Sequence, residues 1–281
     1  MENQSATLPA DRPAWKSIFS ARHLAATLMV SIAVTLILLR SWDMDIYRHA
    51  MRLLAESQSP YKAWGFHNPP WALLFMIPTL IISREATVIL FGMISLVVLC
   101  RLIDPLPRFQ AAVILLSPWV LLSASYINLD WIVLLGAFLP PIWGIWLLAL
   151  KPQAGGVLVA LLLWQAWQRR DQHSRLEKID YVVFVICFGL YLLLAPHPDP
   201  VASITAGPSI FPWGIPIGIA LTAVAFRKKD RDAALAAAPC LSPYVGFGSW
   251  LAVLPFASRN KWILYGVVLV GWIVAVAGNW P

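Results

Sequence analysis

Charged residues are scarce in this chain. Of its 281 residues, 12% are Asp, Glu, Lys or Arg and 59% are hydrophobic, whereas about a quarter of a typical soluble domain is charged. The mean hydropathy is +0.71. This scarcity excludes an ordinary soluble globular domain and predicts an all-α, polytopic membrane protein, because helices satisfy their own backbone polar groups in lipid.

The sequence also has few cysteines and no glycine-rich pattern for binding phosphate. Cys100, Cys187 and Cys240 lie in or beside apolar runs and form no C-x-x-C pair, which predicts free thiols. His49 and His67 recur at no ligand spacing, so no metal site is predicted. No glycine-rich phosphate loop is present, which argues against a nucleotide-sugar donor held by such a loop.

The net charge of +7 comes from positive residues grouped in short segments. By the positive-inside rule, we expect residues 1–23, 169–180 and 227–232 to be cytoplasmic, and nucleic acid is not an expected partner. The run from 24 to 39 is not followed by a small-residue cleavage site, so we expect an anchoring first helix. That helix would deliver residues 40–69 to the outer face.

The remaining apolar runs predict a single integral membrane domain over residues 1–281, with about eight to ten membrane segments. The topology between residues 84 and 168 stays open, because 69–83 is short enough to be re-entrant and the charges there are sparse. The predicted segments are 69–83, 86–103, 110–125, 129–150 (interrupted by Pro140-Pro141), 155–167, 181–195, 212–226 and two or more within 233–280.

The stretch from Trp42 to Trp71 is unusually polar for a segment beside a membrane anchor. Polar side chains recur on one face of a predicted helix from Asp45 to Glu56, which indicates an amphipathic helix on the membrane surface. Asp43 would stand at the turn just before this helix. There it would either cap the helix or serve as a base toward an incoming hydroxyl.

The second acid of this stretch, Asp45, fits a different role. It would complement the helix dipole and pair with Arg48 or His49. In an alternative arrangement, Asp43 and Asp45 share a divalent ion.

Aromatic residues and prolines close the loop. Tyr61, Trp64 and Phe66 supply flat surfaces that would form an aromatic belt or stack on a sugar or lipid. Pro69 and Pro70 fix the chain where it returns toward the membrane.

The order of motifs in this chain resembles membrane glycosyltransferases of the GT-C fold, and most closely the mannosyltransferase-like family 87. The motifs are Asp43-x-x-x-Tyr47-x-x-Ala50-x-x-Leu53-Leu54, Pro60-Tyr61, Phe66-x-x-Pro69-Pro70, "INLD" (127–130), "LALKPQ" (148–153) and "LSPYVGFGSW" (241–250). They cover about residues 40 to 255 in the order found in that family.

The resemblance implies a short GT-C bundle in a bacterial inner or plasma membrane, with its site on the outer face. It would transfer a mannose-like hexose from a polyprenyl-phosphate sugar to a lipid or glycan acceptor in the cell envelope, without a cofactor. Asp43 would be the general base. The implied substrate-binding residues are Asp45, Tyr47, Arg48, Arg52, Tyr61, His67, Asn128, Asp130 and Lys151.

Three departures from the family pattern keep other interpretations open. The chain has "AESQS" where a Gly precedes Pro-Tyr, Asn68 where a Tyr precedes the double proline, and Ile127 where a Gly is usual. The chain is also shorter than typical members. A transporter or lipid flippase, with Pro140-Pro141 breaking a helix near the midplane, and an inactive protein of the same fold are the alternatives.

Overall fold

The computed structural model describes residues 42–63, 65–66, 68–126, 129–194 and 208–277. Within these ranges all regular secondary structure is helical, which confirms the all-α prediction. The predicted anchor at 24–39 and the tail at 1–23 lie outside the described residues.

The helices are mostly short. They are α1 (Trp42–Ala55), a 3-10 turn (Pro60–Lys62), α2 (Ala72–Met76), α3 (Pro78–Ile81), α4 (Arg84–Ile103), α5 (Arg108–Leu115), α6 (Pro118–Tyr126), α7 (Asp130–Phe138), α8 (Pro141–Leu148), α9 (Pro152–Gln168), α10 (Arg175–Leu194), α11 (Ile215–Lys228), α12 (Arg231–Leu241), the late 3-10 helix (Phe247–Val253), α13 (Leu254–Ala257) and α14 (Lys261–Ala277).

Helix α1 is amphipathic, as its periodicity predicts, but it begins earlier than expected. Met44, Tyr47 and Met51 are at most 4% exposed and form its buried face. Because Met44 belongs to the same 3.6-residue stripe, helix formation extends toward the N-terminus to Trp42. Asp43 therefore lies inside the described helix, and the prediction of a turn at that residue is wrong.

Prolines divide the predicted membrane segments. The apolar run from 110 to 125 becomes α5 and α6, which are separated at Pro118, and the run from 129 to 150 becomes α7 and α8, which are separated at Pro140-Pro141. Of the described helices, α4 has both the length and the apolar composition needed to cross a membrane, with a mean hydropathy of 2.4. The expected count of eight to ten segments stays a prediction.

The centre of the described bundle is helix α12. Its residues from Ala233 to Ala238 are buried, and it packs against α9, α11 and the late 3-10 helix. Small side chains let these neighbours approach closely, as is common where helices pack without large residues between them. This core supports the hairpin formed by α7 and α8.

The α7–α8 hairpin depends on two glycines that face each other. A Cβ atom on Gly136 would lie 2.8 Å from the carbonyl oxygen of Gly144, and a Cβ on Gly144 would come even closer to the carbonyl of Gly136. Neither backbone can retreat, since each belongs to a packed helix. The two glycines therefore set the spacing of the hairpin.

We expect Gly144→Ala to destabilise the protein by about 1–3 kcal/mol, because the added methyl group must push α8 away from α7. The measurement is thermal unfolding of the purified protein in detergent. Gly189→Ala in α10 is the matched control, since its Cβ would meet nothing within 4 Å. Equal melting temperatures for the two variants would contradict the assigned contact.

Candidate functional site

Three sequence segments that lie far apart in the chain meet at one polar cluster. Asp130 is the first residue of α7, Lys151 lies between α8 and α9, and Ser249 belongs to the late 3-10 helix. Lys151 Nζ is 2.8 Å from Asp130 Oδ2, and Ser249 Oγ donates a hydrogen bond of 3.0 Å to Asp130 Oδ1. We call these three residues the polar triad.

The triad is largely removed from the surface. The Asp130 side chain is 2% exposed and the Lys151 side chain is 13% exposed, while Ser249 is 1% exposed. Isolated charges at such burial would be strongly disfavoured, so each must be paired and hydrogen-bonded. Both carboxylate oxygens of Asp130 have a partner, which satisfies this requirement.

Local backbone structure brings the two charges together. The α7–α8 hairpin starts at Asp130 and ends just before Lys151, so these residues lie at its open end. Lys151 has an extended backbone, with φ −135° and ψ 92°, as expected for a residue that precedes a proline. Its carbonyl accepts the N–H groups of Ala154 and Gly155, which opens α9.

Asp130 also suits its place at the start of a helix. A negative charge in the first turn interacts favourably with the helix dipole. The sequence motifs contain Asp130 and Lys151 separately, and the structure brings the two residues together as one ion pair. Ser249 was not among the predicted site residues, although it lies within the "LSPYVGFGSW" motif.

The predicted residues of helix α1 occupy different surroundings. Tyr47 is 3% exposed and belongs to the core, whereas Arg52 is exposed. Arg48 is partly buried, and its Nη1 atom has no hydrogen-bond partner in the part of the chain that the structure describes. That unpartnered nitrogen is a donor available to an anion.

Asp45 has a partner other than the expected ones. Its Oδ1 is 3.2 Å from Nε of Arg84, the first residue of α4, and the Asp45 side chain is 63% exposed. The expected pairing with Arg48 or His49 is therefore replaced by a contact between two helices. Asp45 and Arg84 lie on different helices, so helical periodicity along α1 alone could not predict their contact.

Three predicted site residues lie wholly or partly outside the described residues. Asn128 and His67 lie outside the described residues, and so does the side chain of Asp43, although its backbone belongs to α1. The Tyr61 hydroxyl donates to the Asn68 carbonyl at 3.2 Å. Burial raises the pKa of the Tyr61 phenol, so this group stays protonated as a donor.

Aromatic packing secures the end of the loop in a way the sequence did not predict. The Trp71 ring lies 5.7 Å from Trp146, 5.8 Å from Tyr191 and 6.1 Å from Phe188. The Trp71 indole also donates to the Trp146 carbonyl at 3.2 Å. Edge-on aromatic contacts of this kind are stabilising beyond simple burial, and here they join the loop to α8 and α10.

Metal ligation finds no support among the described side chains. No group of three or more His, Cys, Asp or Glu residues is close enough there to hold an ion. The arrangement in which Asp43 and Asp45 share an ion involves a side chain outside the described residues.

Comparisons with protein-family models, with curated proteins and with solved structures find no match for this chain.

We expect Lys151→Met to destabilise the protein by about 3–5 kcal/mol, because it leaves the Asp130 carboxylate buried without its ammonium partner. The double variant Asp130→Asn/Lys151→Met should recover much of that loss, since neither charge remains. Both are measured by thermal or denaturant unfolding in detergent.

Asp45→Asn provides the control for this pair. It breaks an ion pair that is mostly exposed, and such pairs contribute little. A double variant that is as unstable as the sum of its two single variants would contradict a coupled pair at Asp130 and Lys151.

Proposed function

We propose that this protein is a multi-pass membrane glycosyltransferase that moves a hexose from a polyprenyl-phosphate sugar to an acceptor hydroxyl. The observation that carries the proposal is the convergence of three motif segments at the polar triad. The segments that resemble family 87 in the sequence supply Asp130, Lys151 and Ser249, which are up to 119 positions apart. The spacing of these motifs in the sequence does not require the three residues to meet, so their contact supports a common site.

A membrane location is supported by the surfaces of two helices. Large apolar side chains on α10 and α14 are open to the surroundings, including Leu193 at 80%, Leu194 at 76% and Val276 at 74% exposure. Large exposed apolar surfaces are rare on soluble monomers and mark contact with a membrane or another protein. Lipid acyl chains are the solvent that suits them.

The proposed reaction is a single displacement at the anomeric carbon. The acceptor oxygen forms a bond to that carbon while the bond to the phosphate oxygen breaks and the phosphate leaves with the electron pair. The acceptor proton passes to the Asp43 carboxylate, acting as general base. One displacement inverts the anomeric configuration.

The leaving phosphate needs cationic partners. Arg48 fits this role, because its Nη1 atom is buried without an acceptor in the described structure. Arg52 is exposed on the same helix. Lys151 is the third candidate, and its ion pair with Asp130 would hold the ammonium in one place before the phosphate arrives.

A lipid transporter is the second candidate, and one observation favours it. The α7–α8 hairpin is made of two short helices, Asp130–Phe138 and Pro141–Leu148, with a buried ion pair at its open end. Broken helices that surround charged residues are typical of transporter binding sites.

We expect Asp43→Asn to lower sugar transfer from a polyprenyl-phosphate hexose by about a hundredfold to ten-thousandfold, because the general base is lost. Transfer is measured in proteoliposomes with a radiolabelled donor. Glu56→Gln, at an exposed carboxylate just after the end of α1, is the control and should retain most activity.

Two results would count against the enzymatic proposal. Transfer by Asp43→Asn at the wild-type rate would remove Asp43 from the mechanism. Lipid translocation by the wild type that survives this substitution, without any transfer, would favour the transporter.

The membrane location has its own test. Because its exposed apolar helices would be embedded in lipid, the full chain should stay in the membrane pellet after an alkaline carbonate wash and be released by detergent. Release into the carbonate supernatant would contradict an integral membrane protein.

A further inference from the structure

Arg231, the first residue of α12, has an unusual environment for a guanidinium group. The residue is half-buried, and its Nε and Nη2 atoms are buried with no hydrogen-bond partner in the part of the chain that the structure describes. Burial lowers the pKa of Arg231. Buried polar atoms are almost always satisfied, so two unsatisfied donors on one guanidinium call for an acceptor that the described residues do not supply.

The acidic neighbours of Arg231 are already occupied by another arginine. Arg259 Nη2 lies 2.8 Å from Asp230 Oδ1, and Arg259 Nε lies 3.1 Å from Asp232 Oδ2. The hydrogen bond with Asp230 raises the pKa of Arg259. Asp230 Oδ1 also accepts the N–H groups of Asp232 and Ala233, each at 3.1 Å.

These contacts determine which groups at the α11–α12 turn are still able to bind a ligand. The carboxylates and the first N–H groups of α12 are bound to one another and to Arg259, so the end of the helix offers no site by itself. What remains is the Arg231 guanidinium. A planar guanidinium with adjacent donors matches the oxygens of a phosphate group, to which it can donate two parallel hydrogen bonds.

The surrounding charge favours an anion. Arg227 and Lys228 form the last turn of α11, and Lys229 follows as its left-handed cap, with φ 55°. All three side chains are exposed. Together with Arg231 and Arg259, these cations outnumber the two carboxylates at this turn, and the resulting positive potential attracts anions.

The neighbouring helix start points to a lipid as the source of the anion. Arg259 lies just before α14, whose first residues are Lys261 and Trp262. Trp262 is 71% exposed and Ile263 is 46% exposed, and Lys261 Nζ lies 5.2 Å from the Trp262 ring. Exposed tryptophan beside lysine, at the end of an apolar helix, is the pattern found at the headgroup level of membranes.

We propose that Arg231 anchors a binding site for the phosphate of an anionic phospholipid headgroup at the α11–α12 turn. Arg227, Lys228 and Lys229 attract the lipid, and the half-buried Arg231 guanidinium turns outward to donate to its phosphate. The site is separate from the polar triad and does not depend on sugar transfer.

The test measures binding of short-chain phosphatidylglycerol, short-chain phosphatidylcholine and inorganic phosphate to the full-length protein in neutral detergent. Wild type should prefer phosphatidylglycerol, and Arg231→Gln should weaken its binding about tenfold through loss of the charged hydrogen bonds. Arg175→Gln removes one exposed arginine from the first turn of α10 and is the matched control, with binding unchanged.

A second variant keeps the test valid if Arg231→Gln fails to fold. Arg227→Gln/Lys228→Gln changes exposed side chains of α11 only. It should bind phosphatidylglycerol more weakly and with a smaller salt dependence, because fewer cations attract the lipid.

Three outcomes would overturn the proposal. Equal loss of binding in Arg231→Gln and Arg175→Gln would show a general charge effect. Wild-type affinity in Arg231→Gln, or in the double variant if Arg231→Gln does not fold, would remove the site. Inorganic phosphate that binds as tightly as phosphatidylglycerol would make the ligand a free phosphate and not a lipid.

Discussion

The buried ion pair between Asp130 and Lys151 is the constraint around which the described structure is arranged. Two charges with side chains 2% and 13% exposed are acceptable only when geometry and hydrogen bonding offset their desolvation. Ser249 completes that arrangement by donating to the second carboxylate oxygen. The ion pair therefore forms only when the three segments that carry Asp130, Lys151 and Ser249 are all correctly positioned.

Close packing of the α7–α8 hairpin makes this relative position of the segments possible. Asp130 and Lys151 lie at the open end of this hairpin. The distance between them depends on how closely the two helices approach. Gly136 and Gly144 remove the side chains that would separate them. The Ala-rich helix α12 supports the same arrangement, because it packs against both α9 and the late 3-10 helix.

Local patterns in the sequence predicted local structure. The periodicity of the polar stretch predicted helix α1, the apolar run predicted α4, and Pro140-Pro141 predicted the break between α7 and α8. The predicted N-terminal limit of α1 is wrong, because the burial of Met44 extends the helix beyond the polar pattern. Such burial depends on neighbours that periodicity does not report.

Local sequence patterns do not predict the contacts between distant segments. Asp130 and Lys151 belong to separate sequence motifs, and nothing in their spacing requires the two residues to touch. Ser249 carries no signal of its own, since a lone serine in an apolar segment usually bonds its own backbone. Arg84 likewise paired with Asp45 across two helices, and the expected partners were the neighbours on α1.

The chain thus treats its buried cations in two different ways. The Lys151 ammonium has a carboxylate at 2.8 Å, so its charge is balanced within the fold and serves to position the triad. The Arg231 guanidinium has two buried nitrogens without an acceptor in the described structure, while its nearest acids bind Arg259. A cation balanced internally stabilises the fold, whereas one left unbalanced beside a basic, tryptophan-flanked helix end is completed by an anion from outside. That difference, more than the number of positive residues, separates a cation that its own carboxylate already holds in place from one that needs an external anion.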